Sequence, residues 1–136
     1  MNNCDIAERT ETQALRAWHK AFSDAGIADY DWRLEQVGDA LCSVSSTDPS
    51  ILINRVMDLG AELPPSEEQL RGIRNVYREA GIERFFLHVV PERKAPDTDA
   101  ALAAAGYEKY RGWMKFVRGG GEVREAHTNL DVRPVG

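Results

Sequence analysis

The stretch Arg84 to Val90 (RFFLHVV) constrains the fold of this chain more than any other segment. It is nearly continuously apolar, rich in aromatic and β-branched residues and stopped by Pro91, a pattern that suits a central strand covered on both faces. The clearest helix in the sequence lies just ahead of it. Ser66-Glu-Glu-Gln69 has the form of a capping box, and Leu70, Ile73, Tyr77 and Ala80 then recur at helical spacing until Gly81 provides a low-strain C-cap. Before the helix, Ile51 to Leu59 (ILINRVMDL) reads as a strand or as a short helix capped by Asp48 or Ser50, ended by Gly60 either way. Read as a strand, it completes a strand, crossover helix, strand unit, which requires at least one parallel pair joined right-handedly. The expected fold class is therefore α/β, with a mixed, partly parallel sheet flanked by helices.

Leu15, Trp18, Phe22 and Ala25 form one apolar stripe closed by Gly26, which predicts a first helix from Thr10 or Thr12 to Ala25. Trp32 to Val37 and Ala40 to Ser45 flank Gly38-Asp39 and predict a hairpin. After the apolar run, Asp97 to Ala105 reads as a short helix ended by Gly106, and Tyr107 to Arg118 (YEKYRGWMKFVR) as a strand that closes the core. The expected domain is 1–118. Residues 119–136 begin with Gly119-Gly-Gly121 and read as a linker or the start of a following domain, with an extended piece at Leu130 to Val135.

Composition narrows the function classes. A chain of 136 residues has room for one ordinary domain, and its 43% hydrophobic and 29% charged content excludes wholesale disorder. A net charge of −5 argues against nucleic-acid binding, which needs a basic face. The charge is uneven, since residues 66–118 carry ten Lys or Arg against eight Asp or Glu and the remainder is acidic; a solvated mixed surface accounts for that. No apolar run approaches the roughly 20 residues of a membrane-spanning helix. The start Met1-Asn-Asn-Cys-Asp has no basic, apolar leader pattern, and Cys4 and Cys42 make no metal or redox motif, so a reducing cytoplasm is the expected setting.

The run INRVMDLG, a helix, RFFLHVVP, a short helix ending in Ala-Gly-Tyr, and then YRGWMKFVR resembles the GNAT superfamily of acyl-CoA-dependent N-acetyltransferases, and in particular the degenerate N-terminal halves of tandem GNAT proteins. The similarity spans about residues 51–118 and includes the Gly106-Tyr107 junction, which resembles the Gly-Phe ending the family's fourth helix. Asp131-Val-Arg-Pro-Val135 looks like the opening strand of a second such domain. The resemblance implies a GNAT-like acyl-CoA N-acyltransferase fold. Its cofactor signature, Gln or Arg, two residues, Gly, one residue, Gly or Ala, leads into a helix whose free N–H groups hold pyrophosphate. Here the approach is Gly60-Ala-Glu-Leu-Pro-Pro65, where two prolines have no N–H to donate and Glu67 and Glu68 put like charge near the phosphates. The tyrosine that often serves the family as general acid, four residues before that Gly, is matched by Leu102. The expectation is a domain that no longer binds acetyl-CoA, with no cofactor and no catalytic residue of its own. It would act as a structural or interaction module beside a catalytic GNAT domain or as a homodimer; the alternative is an active N-acetyltransferase using acetyl-CoA through an atypical loop.

Other chemistry-bearing residues each have a plain structural reading. His88 is a general-base candidate or a packed histidine, and Glu67 with Glu68 is an acid/base pair or a dipole-complementing first turn. Cys4 and Cys42 lack a neighbouring cation, His19 and His127 lack companions at ligand spacing, and Asp29 and Asp31 flank Tyr30 as turn residues do. Tyr110, Arg111 and Trp113 are the expected partner-binding residues, with Trp32 either part of the same exposed aromatic surface or in the core.

Overall fold

The computed structural model describes residues 3–112 apart from 28 and 62. The order is α1 (Asn3–Asp24), β1 (Arg33–Val37), β2 (Ala40–Val44), β3 (Arg55–Met57), α2 (Glu67–Glu79), β4 (Phe86–Leu87) and α3 (Thr98–Ala104). The four strands form one sheet in sequence order; β1–β2 and β2–β3 are antiparallel and β3–β4 is parallel. The mixed α/β class with one parallel pair follows from this topology. The expected segments from Tyr107 onward only partly meet the structure: Tyr107 to Gly112 is not strand, and 113–118, Leu130 to Val135 and His127 lie outside the described residues.

β2 is buried along its whole length, so side chains on both its faces need apolar cover. Leu41 faces one layer, where it joins Leu15, Trp32 and Met57, with Leu34, Tyr30 and Ile53 at the margin. Ala40, Cys42 and Val44 face the other, with Val56, Leu59, Leu70, Ile73, Val76 and Tyr77. That alternation places α1 on one face and α2 on the opposite face, as strand side chains at period two demand. In β4 the same rule holds: Phe85 and Leu87 pack against the α2-side cluster, while Phe86 on the other face meets Tyr110.

The capping box forms by half. The Ser66 hydroxyl accepts from the Gln69 amide at 3.1 Å, but the Gln69 side chain donates to Val37 O at 3.0 Å and to Asp39 Oδ1 instead of returning to Ser66. The start of α2 is thereby tied to the β1–β2 turn. Gly38 in that turn has φ 62°, a conformation that favours glycine, and a Cβ there would lie 2.7 Å from Gln69 Nε2 and push that amide off its turn contacts.

Four expectations are corrected. α1 begins at Asn3 and not at Thr10, because Asp5 at its start pairs with Arg93 at 3.3 Å, a contact no local pattern announces. Its stripe is split: Leu15 is 1% exposed but Trp18 is 58% exposed, since one helix on a short sheet can bury only part of a wide apolar face. Ile51 to Leu59 contributes strand only at Arg55–Met57, because Ile53 and Asn54 turn back to donate to Ser50 O. Among the described residues, Arg84 to Val90 does not form a long strand covered on both faces. Only Phe86–Leu87 is strand, it pairs on one side among the described residues, and the residues from Phe85 to Val90 are half-buried.

Ile73, fully buried between α2 and the sheet, sets the scale for the core. Ile73→Ala is expected to lower unfolding free energy by about 2 to 5 kcal/mol, and urea denaturation at neutral pH with unchanged slope is the measurement that checks it.

Candidate functional site

In open α/β sheets, ligands bind beyond the carboxyl ends of parallel strands. Here those ends are Met57 and Leu87, and the residues beyond them are Asp58, Leu59, Ala61, His88, Val90, Arg93 and Lys94, around a cavity of about 10 Å³. That is the space of about one water. The strands do not open here: the His88 amide donates to Val56 O at 2.9 Å, continuing the ladder.

The charges around the cavity are used within the chain. Asp58 takes a left-handed φ of 61°, uncommon for a residue with a Cβ. Its carboxylate accepts from Thr12 Oγ1 at 3.0 Å and lies 3.9 Å from Arg93, which also pairs with Asp5. Lys94 pairs with Asp99, the acidic residue in the first turn of α3. His88, the general-base candidate, sits within this knot with no substrate-sized space in front of it.

The approach to α2 is equally occupied. Gly60 O accepts from the Ala95 amide at 2.8 Å, and a Cβ on Gly60, whose φ is 70°, would lie 3.0 Å from Thr98 Cγ2. The loop after β3 is thus pressed against the start of α3. Pro65 is buried, whereas Glu67 and Glu68 are exposed in the first turn of α2, as dipole-complementing residues are. Leu102 packs against the α2-side core.

The remaining candidates separate. Cys42 is fully buried, and burial, followed by the charge of Glu35, pushes its thiol up to about 12, so it is no nucleophile. His19 packs edge-on to Trp32 at 5.7 Å. Trp32 is 7% exposed and donates through Nε1 to Ser43 Oγ at 2.8 Å, which removes it from the expected aromatic surface. Tyr110 is 62% exposed and lies 5.4 Å from Phe86 between ring centroids, with Arg84 over both rings and Arg111 over Tyr110. Trp113 lies outside the described residues. Among the described residues no group of three or more His, Cys, Asp or Glu is placed to hold a metal ion, and no helix is long and apolar enough to cross a membrane.

Two polar constructions escaped sequence reasoning. Asp31 looked like ordinary turn chemistry, yet its carboxylate gathers the hydroxyl of Ser45 at 2.7 Å, the amide of Ser46 at 2.8 Å, and the hydroxyls of Ser46 and Thr47. The run Ser45-Ser-Thr47 was its one visible signal, a cluster of donors, but the acceptor beside it in sequence is Asp48 and not Asp31. Arg55, 5% exposed under α1, pairs with Glu11; nothing in the local sequence marks that partner.

Scans against family models, curated proteins and solved structures find no match to this chain.

Desolvation pushes the Asp31 carboxyl up, but the hydrogen bonds from Ser46, Ser45 and Thr47 together outweigh it and hold the group well below the usual carboxylate range. A depressed folded-state value means stability that is present above the unfolded value, about pH 4, and is lost as pH falls toward the folded one. Asp31→Asn is therefore expected to destabilise the protein at pH 7, and the gap to the parent should narrow below about pH 4. Urea midpoints of both proteins across that range check it.

Proposed function

We propose that this chain is a GNAT-like domain that does not bind acetyl-CoA and serves as an interaction module in the cytoplasm, partnered by a second GNAT-like domain or by another copy of itself. One observation carries the reading. At the start of the Gly60 to Pro65 segment, where the family's loop presents N–H groups to pyrophosphate, Gly60 is held against Ala95 and Thr98, and at its end two prolines offer no N–H and two exposed carboxylates follow in the first turn of α2. A pyrophosphate there would meet like charge and find no N–H at either proline. The reading is further supported by the element order, with an antiparallel run, a crossover helix, a parallel strand and a short helix ending at Gly106. The partner surface in this proposal is Tyr110, Arg111 and Trp113, backed by Phe86 and Arg84. An exposed aromatic flanked by arginine is the composition that interfaces favour at their centres.

Two measurements test it. Isothermal titration with acetyl-CoA is expected to give no saturable heat at sub-millimolar concentration; a micromolar dissociation constant would overturn the proposal. Sedimentation at micromolar concentration is expected to show a species heavier than the monomer, shifted toward monomer by Tyr110→Glu. A monomer at all concentrations would remove the self-association half of the proposal.

A further inference from the structure

A second concavity lies on the α2 side of the sheet, away from the carboxyl ends of the parallel strands. It is an open groove of about 530 Å³ lined by Arg74, Arg78, Gly81, Ile82, Glu83, Phe85, Gly106 and Tyr107, within the size range of small-molecule sites. Its base is aromatic and fixed. Phe85 stacks on buried Tyr77 with centroids 4.0 Å apart and planes 4° apart, and Tyr107 meets Phe85 edge-on at 6.2 Å. Arg74, exposed on α2, reaches the same floor: its guanidinium lies 4.6 Å from the Tyr107 ring centroid and donates to Ala105 O. Arg78, one turn further along α2, donates to Asn75 Oδ1 at 2.8 Å.

The groove carries both signs of charge. Glu83 lies on its lining with Arg78 and Arg74, and none of the three belongs to an ion pair among the described residues. The C-terminal end of α2 at Gly81 adds partial negative charge on the same side as Glu83. A dianion such as a phosphate monoester would gain from the arginines but be opposed by Glu83 and the helix end. A carboxylate carried with an ammonium group meets the arginines with one end and Glu83 with the other. A flat apolar body then covers Phe85 and Tyr107.

We infer that this groove binds a free aromatic α-amino acid, its carboxylate on Arg78 and Arg74, its ammonium on Glu83 and the α2 C-terminal end, and its ring on Phe85 and Tyr107. The inference stands apart from the proposed loss of acetyl-CoA binding, which concerns the opposite end of α2.

The test uses the full chain with L-phenylalanine as probe, alongside hydrocinnamate, which lacks the ammonium, and phenethylamine, which lacks the carboxylate. Titration is followed by calorimetry and by the amide shifts of Gly81 and Gly106. L-Phenylalanine is expected to bind saturably and more tightly than either analogue. Arg78→Ala and Glu83→Ala, both at exposed positions, are each expected to weaken it about tenfold with unchanged thermal midpoints. Absence of saturable shifts, binding unaffected by both substitutions, or hydrocinnamate binding as tightly as phenylalanine would overturn the inference. Acetyl-CoA is not expected to move either glycine amide, so the two proposals fail separately.

Discussion

Ser43 lies in the fully buried strand β2, and both layers of the molecule reach it. From the α1 side Trp32 Nε1 donates to its hydroxyl at 2.8 Å, and from the α2 side Tyr77 Oη donates to its carbonyl at 3.0 Å. A polar residue in a strand covered on both faces is tolerable only with such partners, because an unsatisfied buried group costs about 1–3 kcal/mol. The two donors are large aromatics that anchor the two apolar clusters, so satisfying Ser43 and filling the core are one arrangement. Burial raises the Tyr77 hydroxyl far above its usual range, so it remains a donor.

The α1 face depends on charge as well as on packing. Arg55 is buried beneath the helix and paired with Glu11, while Asp5 near the helix start and Asp58 share Arg93, with Thr12 supporting Asp58. Buried ion pairs contribute little net stability, but removing one partner leaves an uncompensated charge at a cost of several kcal/mol. The consequence is register: α1 lies where its acidic residues at positions 5 and 11 meet the cations of β3 and of the loop after β4. Its outward apolar residues, Trp18 above all, are what remains of the stripe once that register is set.

The same pairing fills the space beyond the carboxyl ends of the parallel strands. Asp58, Arg93 and Lys94 occupy the ends of the parallel strands, Gly60 is held against Thr98, and His88 continues the ladder to Val56. Open space lies instead at the other end of α2, where two helix C-termini and a half-buried aromatic pair leave a groove. Exposed arginine and glutamate side chains there carry no periodic signature, so sequence alone registered them only as a mixed charged surface.

Local chemistry by itself determined the elements whose signals are short-range. The Gly38-Asp39 hairpin, the Ser66 cap and apolar stripe of α2, and the stop at Gly106 are legible because a turn conformation or a helical period is fixed by neighbours in the chain. Tertiary structure decided the rest. Whether Trp18 or Trp32 is inside, how much of RFFLHVV pairs as strand, where α1 begins, and that Asp31 collects three successive residues from β2's end and the loop beyond it all depend on contacts between distant segments. The physical reason is that an apolar or polar side chain states what it needs but not what will meet it. A hydroxyl cluster at residues 45–47 needs an acceptor and an apolar stripe needs cover; only the packed chain assigns Asp31 to the first, and covers Leu15 while leaving Trp18 exposed.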